Sequence, residues 1–344
     1  MAELTSEERV LRVLRRQEPD RVPHFEWLVD RRVRAALCPE AKSNNDFAVR
    51  MGHDAVVADP DFRKTPAGPG RWLSEWGYIV QDTAEEHGIE VESPIKTCAD
   101  FERYVPPDLH APGRYASIEQ TLRDYPGTAV IVHLNDVFSL PRYWMGMEAL
   151  LMAIAADPEL VLALVDLSVR LNLEMAREAV ARGVKIVYTG DDYASNTGPL
   201  MSPRHFRQLF FPGLCRVIRG FKELGLYVIK HTDGKLWPIL DMIVESGIDC
   251  LDPIDPQAGM DLARVKTQYG NRVALKGNVD CGRLMTFGTP EQVAEATREA
   301  LRHGAPGGGF ILSSSNSIHS AVQPENYRAL LTTWQAYRKY PLNV

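Results

Sequence analysis

Hydrophobic residues along this chain gather in eight short runs, each closed by polar residues. They are "RVPHFEWL" (21–28), "DAVVADPD" (54–61), "TAVIVHLND" (128–136), "VKIVYTGDD" (184–192), "LYVIKHTDG" (226–234), "DCLDPIDP" (249–256), "RVALKGNVD" (272–280) and "GFILSSSN" (309–316). Continuous apolar runs of this length suit strands buried on both faces, as in a parallel sheet. The segments between them carry helix grammar. "SPRHFRQLFFPGLCRVIRGFKELG" opens on Ser202 and Pro203 and closes on Gly225, and "TPEQVAEATREALRHG" opens on Thr289 and Pro290 and closes on Gly304. Strand and helix in alternation predict a parallel α/β fold with right-handed crossovers. Eight such units predict a (β/α)8 TIM barrel. Residues 72–96, "WLSEWGYIVQDTAEEHGIEVESPIK", alternate with the two-residue period of antiparallel strands and predict an inserted β-hairpin after the second strand. No repeat, low-complexity tract or linker divides the chain, so residues 1–344 are expected to form one domain.

Composition narrows the function classes. A formal charge of −6 disfavours a general nucleic-acid or membrane surface, since both attract basic proteins. No segment approaches the ~18 consecutive apolar residues of a membrane span. The N-terminal stretch "MAELTSEERVLRVLRRQEPDRVP" lacks the apolar centre of a signal peptide, and the five cysteines show no CxxC spacing. A cytoplasmic protein without a disulfide framework is the expectation. Nucleotide-binding glycine motifs, a GxSxG elbow and HExxH are all missing.

In a barrel of this kind the active site lies at the C-terminal ends of the strands. Polar residues collect there: Glu26, Asp59, His133 with Asn135 and Asp136, Asp191 with Asp192, His231 with Asp233, Asp252, Asp255, Asn278, Asp280, and Asn316 near His319. Asp and Asn at strand ends often only make turns or cap the next helix. The gathering over many strands is what points to chemistry. His231 and Asp233 stand two apart, so in extended chain they share a face. Such a pair holds a borderline metal such as zinc, or works as a hydrogen-bonded acid and base; the residues alone leave both open. Asp191 and Asp192 are adjacent and are expected to point to opposite sides, with one facing the pocket. Phe25, Trp27, Phe138 and Trp144 are candidate walls for an aromatic ring.

Several stretches together resemble the uroporphyrinogen decarboxylase superfamily: "PDRVP" (19–23), "GDDYASNTGPLMSP" (190–203), "HTDGK" (231–235), "GIDCLDPIDPQAGMD" (247–261), "GNVD" (277–280), "GTPEQV" (288–293) and "SSNSIHSAVQPENY" (314–327). The resemblance spans nearly the whole chain and implies a barrel and a homodimer. True decarboxylases of the family carry an "RQAGR" signature that binds the propionates of a tetrapyrrole. The corresponding region here is "PHFEWLVDRRVRAAL", where Arg31, Arg32 and Arg34 have a helical context and the signature is absent.

The other branch consists of cobalamin-dependent methyltransferases. Its thiol-methylating members bind zinc through a His-x-Cys pair and a second Cys near the last strand. Here Asp233 replaces the first Cys, and "SSSNS" (313–317), with Asn316, replaces the second. The resemblance therefore implies O-demethylation: a methyl group moves from a small methoxylated, aromatic substrate to the cobalt of a corrinoid. The resemblance implies His231, Asp233 and Asp192 as catalytic residues. Glu26, His133, Asn135, Asn278, Asn316 and His319 are the substrate-binding candidates, and His231 with Asp233 the metal ligands. No DxHxxG corrinoid signature occurs, so the cobalamin is expected on a separate corrinoid protein. The alternatives are a decarboxylase or lyase acting on a carboxylated substrate, with Lys230 or Lys235 neutralising developing charge, and a catalytically silent tetrapyrrole binder.

Overall fold

The computed structural model describes residues 3–86 and 88–344. Its strands, in chain order, are β1 (Ala55–Ala58), β2 (Lys64–Gly68), β3 (Arg71–Ser74), β4 (Ile79–Gln81), β5 (Ile89–Glu92), β6 (Ala129–Leu134), β7 (Ile186–Gly190), β8 (Ala194–Ser195), β9 (Gly198–Pro199), β10 (Tyr227–His231), β11 (Cys250–Asp252), β12 (Ala274–Val279) and β13 (Phe310–Ser314). Seven of them form one parallel sheet in the order β1-β6-β7-β10-β11-β12-β13. These are seven of the eight apolar runs.

The first run, residues 21–28, is not a regular strand. Pro23 has no N–H to donate to a ladder, and one parallel bridge, His24 to Leu312, takes its place. Its backbone nevertheless reaches both edges of the sheet. Leu312 N donates to Pro23 O at 2.9 Å and Phe25 N to Leu312 O at 3.3 Å, while Asp54 N donates to His24 O at 2.8 Å. The sheet is thus curled into a barrel-like ring.

Alternation along the strands divides the core into two layers. One row, with Ala129, Ile131, Ile186, Tyr188, Ile229, Cys250, Ala274 and Ile311, packs inside the curl with Phe25. The opposite row, with Val130, Val132, Val187, Val228 and Leu251, packs against the surrounding helices. The helix Ser6–Leu14 closes the end of the sheet where the strands begin. A Thr5–Glu8 capping box starts it, Glu7 N is held by Gly127 O just before β6, and Val10, Leu11, Val13 and Leu14 enter the inner cluster. Polar residues are left to the other end. Among the described residues no helix is long and apolar enough to cross a membrane.

A four-stranded antiparallel sheet, β2-β3-β4-β5, stands between β1 and β6 where a hairpin over 72–96 is expected; residue 87 of that stretch lies outside the described residues. The expectation missed β2 because all five residues of "KTPAG" are exposed, so no hydrophobic alternation marks them. This insertion lies over the C-terminal ends of the barrel-like strands and supplies part of the site.

Candidate functional site

A cavity of about 510 Å³ opens at that end, lined by Trp27, Tyr188, His231, Asp252, Lys276 and Asn316 among others. His231 is the last residue of β10, in register with Gly190 of β7 and Asp252 of β11. It continues the inward row of Ile229, so its ring points into the mouth. Asp252 lies 2.7 Å from His231 Nδ1 and is fully buried. It also accepts from Tyr188 Oη and from Lys276 Nζ, both at 2.7 Å. Burial opposes ionisation of Asp252, but Lys276 and His231 together hold its pKa well below the ordinary carboxylate value. An ionised carboxylate only accepts, so Nδ1 carries the proton and Nε2 is the atom presented to the cavity.

Two further carboxylates meet Nε2: Asp192 Oδ1 at 3.6 Å and Asp233 Oδ2 at 3.5 Å. Asp192 accepts from Asp233 N at 3.1 Å, and Asn316 Nδ2 donates to Asp233 Oδ2. Asp233 Oδ1 is buried and has no hydrogen-bond partner among the described residues. One ligand atom from each of Asp192, His231 and Asp233 lies within 4.8 Å of the others. Burial alone would lower the His231 pKa, but Asp233 and Asp252 raise it well above the ordinary imidazole value. Gly234 shapes the turn: its φ is +91°, and a Cβ there would stand 2.6 Å from Ser195 O, so only glycine lets this loop approach β8.

The rest of the wall is aromatic and partly charged. Trp27 stacks on Tyr188 (4.5 Å between ring centroids, 16° between planes), and Tyr188 stacks in turn on His231 at 5.6 Å. His133 meets Trp27 edge-on at 5.0 Å and pairs with Asp59 at 3.1 Å. Glu26 is buried and accepts from Ser314 N at 2.7 Å and Ser314 Oγ at 2.6 Å. Burial pushes its pKa up to about 7, against the pull of Lys276.

Thus Glu26, His133, Asp192, His231, Asp233 and Asn316 converge on the mouth. Three other candidates do not. Asn135 lies in a side cleft behind His133, and its backbone N–H is held by Asn172. Asn278 lines a separate outer groove and donates to Ile254 O at 3.2 Å. His319 accepts from Ala321 N at 3.3 Å in a local turn and does not line the cavity.

The proposed ring walls divide in the same way. Trp27 faces the cavity, whereas Phe138 packs on Tyr193 and Phe210, and Trp144 on Trp76 and Tyr104, so both are core. Phe25 lies inside the curl beneath Lys276. Of the adjacent acidic pair, Asp192 faces the cavity. Asp191 is buried and accepts from Phe138 N at 2.6 Å and Ser139 N at 2.8 Å, capping the helix Ser139–Met145. Lys230 points away from the cavity and is buried against Asp136 at 2.8 Å, so it does not neutralise charge on a substrate.

Further residues, not expected from the sequence to bind substrate or take part in catalysis, also line the cavity, among them Tyr188, Asp252, Lys276, Arg142, Glu90 and Lys64. The first three occupy the inward, two-residue period of their strands, and Asp252 also stands among the polar residues that the sequence places at strand ends. Arg142 is on a helix and left no such signal.

The uroporphyrinogen decarboxylase (URO-D) family matches residues 76–337. The chain is 24% identical to a uroporphyrinogen decarboxylase from Psychromonas ingrahamii, over 95% of each chain. It is 23% identical to a methylcobamide:CoM methyltransferase from Methanosarcina acetivorans, over 95% of this chain and 100% of the relative. A methylated-thiol–coenzyme M methyltransferase from Methanosarcina mazei is 27% identical over 62% of this chain and 55% of its own. Among solved structures, a methyltransferase from Methanosarcina mazei superposes with a TM-score of 0.78 at 20% identity, covering 97% of this chain and 99% of that one.

Proposed function

The chain belongs to the uroporphyrinogen decarboxylase family, and from that premise we propose that it is a methyltransferase that removes the methyl group of a methoxylated aromatic compound and passes it to a corrinoid carried by a separate protein. One observation carries this reading: two carboxylates, Asp192 and Asp233, face the free nitrogen of His231 at the mouth, beside a stacked Trp27–Tyr188 wall. The carboxylates favour a cation or a proton at that nitrogen, next to a surface suited to a flat ring.

A phenoxide leaves poorly, its conjugate acid having a pKa of about 10 by analogy with tyrosine. The ether oxygen therefore needs positive charge as the bond to methyl breaks. A divalent cation such as zinc fits the residues: an imidazole nitrogen and two carboxylates within reach of each other, a buried Asp233 Oδ1 without a partner among the described residues, and an Asp252 carboxylate behind the imidazole as metal-binding histidines commonly have. Asp192, His231 and Asp233 would hold it, and it would supply Lewis-acid activation of the ether oxygen. With a proton in place of the cation, Nε2 donates to the same oxygen, because two carboxylates favour the charged imidazole. The corrinoid supplies the methyl acceptor.

The chain's own residues position the reaction. Asp252 fixes the tautomer and the plane of His231, and Tyr188 and Lys276 fix Asp252. Asn316 orients Asp233. Trp27, backed by the buried Tyr188, offers a flat surface to the aromatic ring and excludes water from one side. Asp233 and Asn316 stand where thiol-methylating relatives have cysteines, so the soft ligands that suit a thiolate are replaced by oxygen donors.

The test is anaerobic incubation with a reduced corrinoid protein and a panel of methoxylated aromatics, following the cobalt spectrum. Methylcobalt formation that needs this protein, and that falls on chelation and returns with zinc, supports the reading with a metal. Chelator-resistant turnover assigns the charge to the His231 proton. Carbon dioxide release without methylcobalt selects the decarboxylase instead.

A further inference from the structure

The cavity contains a cation that the proposed methyl transfer does not use. Arg142 lies on the helix Ser139–Met145, whose first turn is fixed by the Asp191 cap, so the base of the side chain is well anchored. The Tyr143 ring lies 4.3 Å from the guanidinium carbon. Arg142 Nη1 donates to Glu90 Oε2 at 3.0 Å, and each side chain of the pair keeps 25% exposure. Both line the same cavity as Trp27, Tyr188 and His231.

The pairing differs from the Lys276–Asp252 ion pair of the wall. Lys276 and Asp252 are almost fully buried, and Asp252 has two further partners. Removing either would strand a charge. Glu90 belongs to β5 of the inserted sheet and meets Arg142 through a single hydrogen bond, although a guanidinium can grip a carboxylate through two. Its exposure gives the carboxylate a route to water if another anion takes its place. Exchanging one carboxylate for another leaves the charge of the site unchanged, so the exchange carries little desolvation cost. Lys64, exposed on β2 and also lining the cavity, adds positive charge nearby.

We infer that Arg142 receives a carboxylate of the substrate, and that Glu90 occupies that place until the substrate arrives. The inference rests on the aromatic-substrate reading above and narrows it to aromatic acids. Arg142 is a specificity residue: it grips the end of the ring away from the reacting group, and His231 is left to the ether oxygen.

Binding to the chain alone, without corrinoid protein, tests this separately from methyl transfer. Titrations followed by calorimetry compare benzoate with benzyl alcohol, and 3-methoxybenzoate with 3-methoxybenzyl alcohol. The acids are expected to bind roughly ten- to a hundredfold tighter than the alcohols, the range of a charge-assisted hydrogen bond. Arg142→Gln is expected to erase that preference while leaving alcohol affinity within about twofold, and Glu90→Gln to tighten acid binding by removing the competitor. An acid preference that survives in Arg142→Gln, equal binding of acid and alcohol by the unmodified protein, or no measurable acid binding each overturns the inference. Because benzoate carries no methoxyl group, Arg142-dependent benzoate binding upholds this inference even where no methylcobalt forms. Methyl transfer from neutral ethers alone upholds the function and rejects the anchor.

Discussion

His231 Nδ1 and Asp252 Oδ2 lie 2.7 Å apart at the ends of neighbouring parallel strands, directly opposite in register. That contact decides which nitrogen of the ring serves the cavity. Asp252→Asn is expected to lower turnover about 10- to 100-fold, as loss of a carboxylate behind a ligating histidine does. It also leaves Lys276 buried without its counter-charge, which costs about 3–5 kcal/mol. The double variant Asp252→Asn, Lys276→Met separates the effects: stability in urea returns while turnover stays low. Recovery of turnover together with stability would show that Asp252 serves only the fold.

Asp191 and Asp192 are adjacent and do different work. Asp191 is buried and, although burial opposes it, Lys230, Asp136 and the N–H groups of Phe138 and Ser139 at the start of the helix Ser139–Met145 hold its pKa below the ordinary value. Asp191→Asn is expected to cost about 1–3 kcal/mol in stability through the capping bonds, with turnover at a permissive temperature largely kept. Asp192→Asn is expected to leave the urea midpoint unchanged and, on the proposed function, to lower turnover at least about tenfold, since it removes one of the two carboxylates that face His231 Nε2. Equal losses of turnover in the two variants contradict this division.

Glu26 gives the stability curve a sign that can be checked. Its pKa rises from 4.5 to about 7 on folding because the carboxyl is buried. A carboxyl with a raised folded pKa favours the folded state when protonated. Its contribution is fully present below pH 4.5, declines as pH rises to about 7, and is gone above that. The span corresponds to roughly 3 kcal/mol at ~1.4 kcal/mol per pH unit. Glu26→Gln, which imitates the protonated form, is expected to be more stable than the unmodified protein at about pH 8 and equal to it below the unfolded pKa. Parallel pH profiles of thermal unfolding would rule this out.

Lys230 and Asp136 form a fully buried ion pair outside the cavity, and Lys230 Nζ also donates to Asp191 O at 2.7 Å. Lys230→Met is expected to cost about 3–5 kcal/mol by leaving Asp136 without its cation. Urea denaturation measures this. In the folded fraction the Michaelis constant for substrate is expected to stay within about twofold, since the side chain does not reach the cavity. A selective rise in that constant, with stability kept, would return Lys230 to the site.

The parallel α/β arrangement and seven of its strands are legible in the amino-acid order, because burial on both faces demands continuous apolar runs that the chain displays directly. That order also marked His231 and Asp233 as a same-face pair and separated Asp191 from Asp192, since strand periodicity is local. It did not reveal that Pro23 reduces the first run to a bridge flanked by both sheet edges, or that the exposed "KTPAG" stretch pairs into a fourth inserted strand. Pairing of that kind is a property of two segments, and an exposed strand leaves no hydrophobic alternation. That Asp252, and not Asp233, grips Nδ1 of His231 follows from the folded sheet alone, because strand register sets which ends lie opposite. The fold likewise removed Asn135, Asn278 and His319 from the mouth and brought in Arg142 and Glu90, which stand 52 residues apart in sequence. Short-range periodicity fixes the direction of a side chain along its own strand; what that side chain meets depends on the curl of the whole sheet.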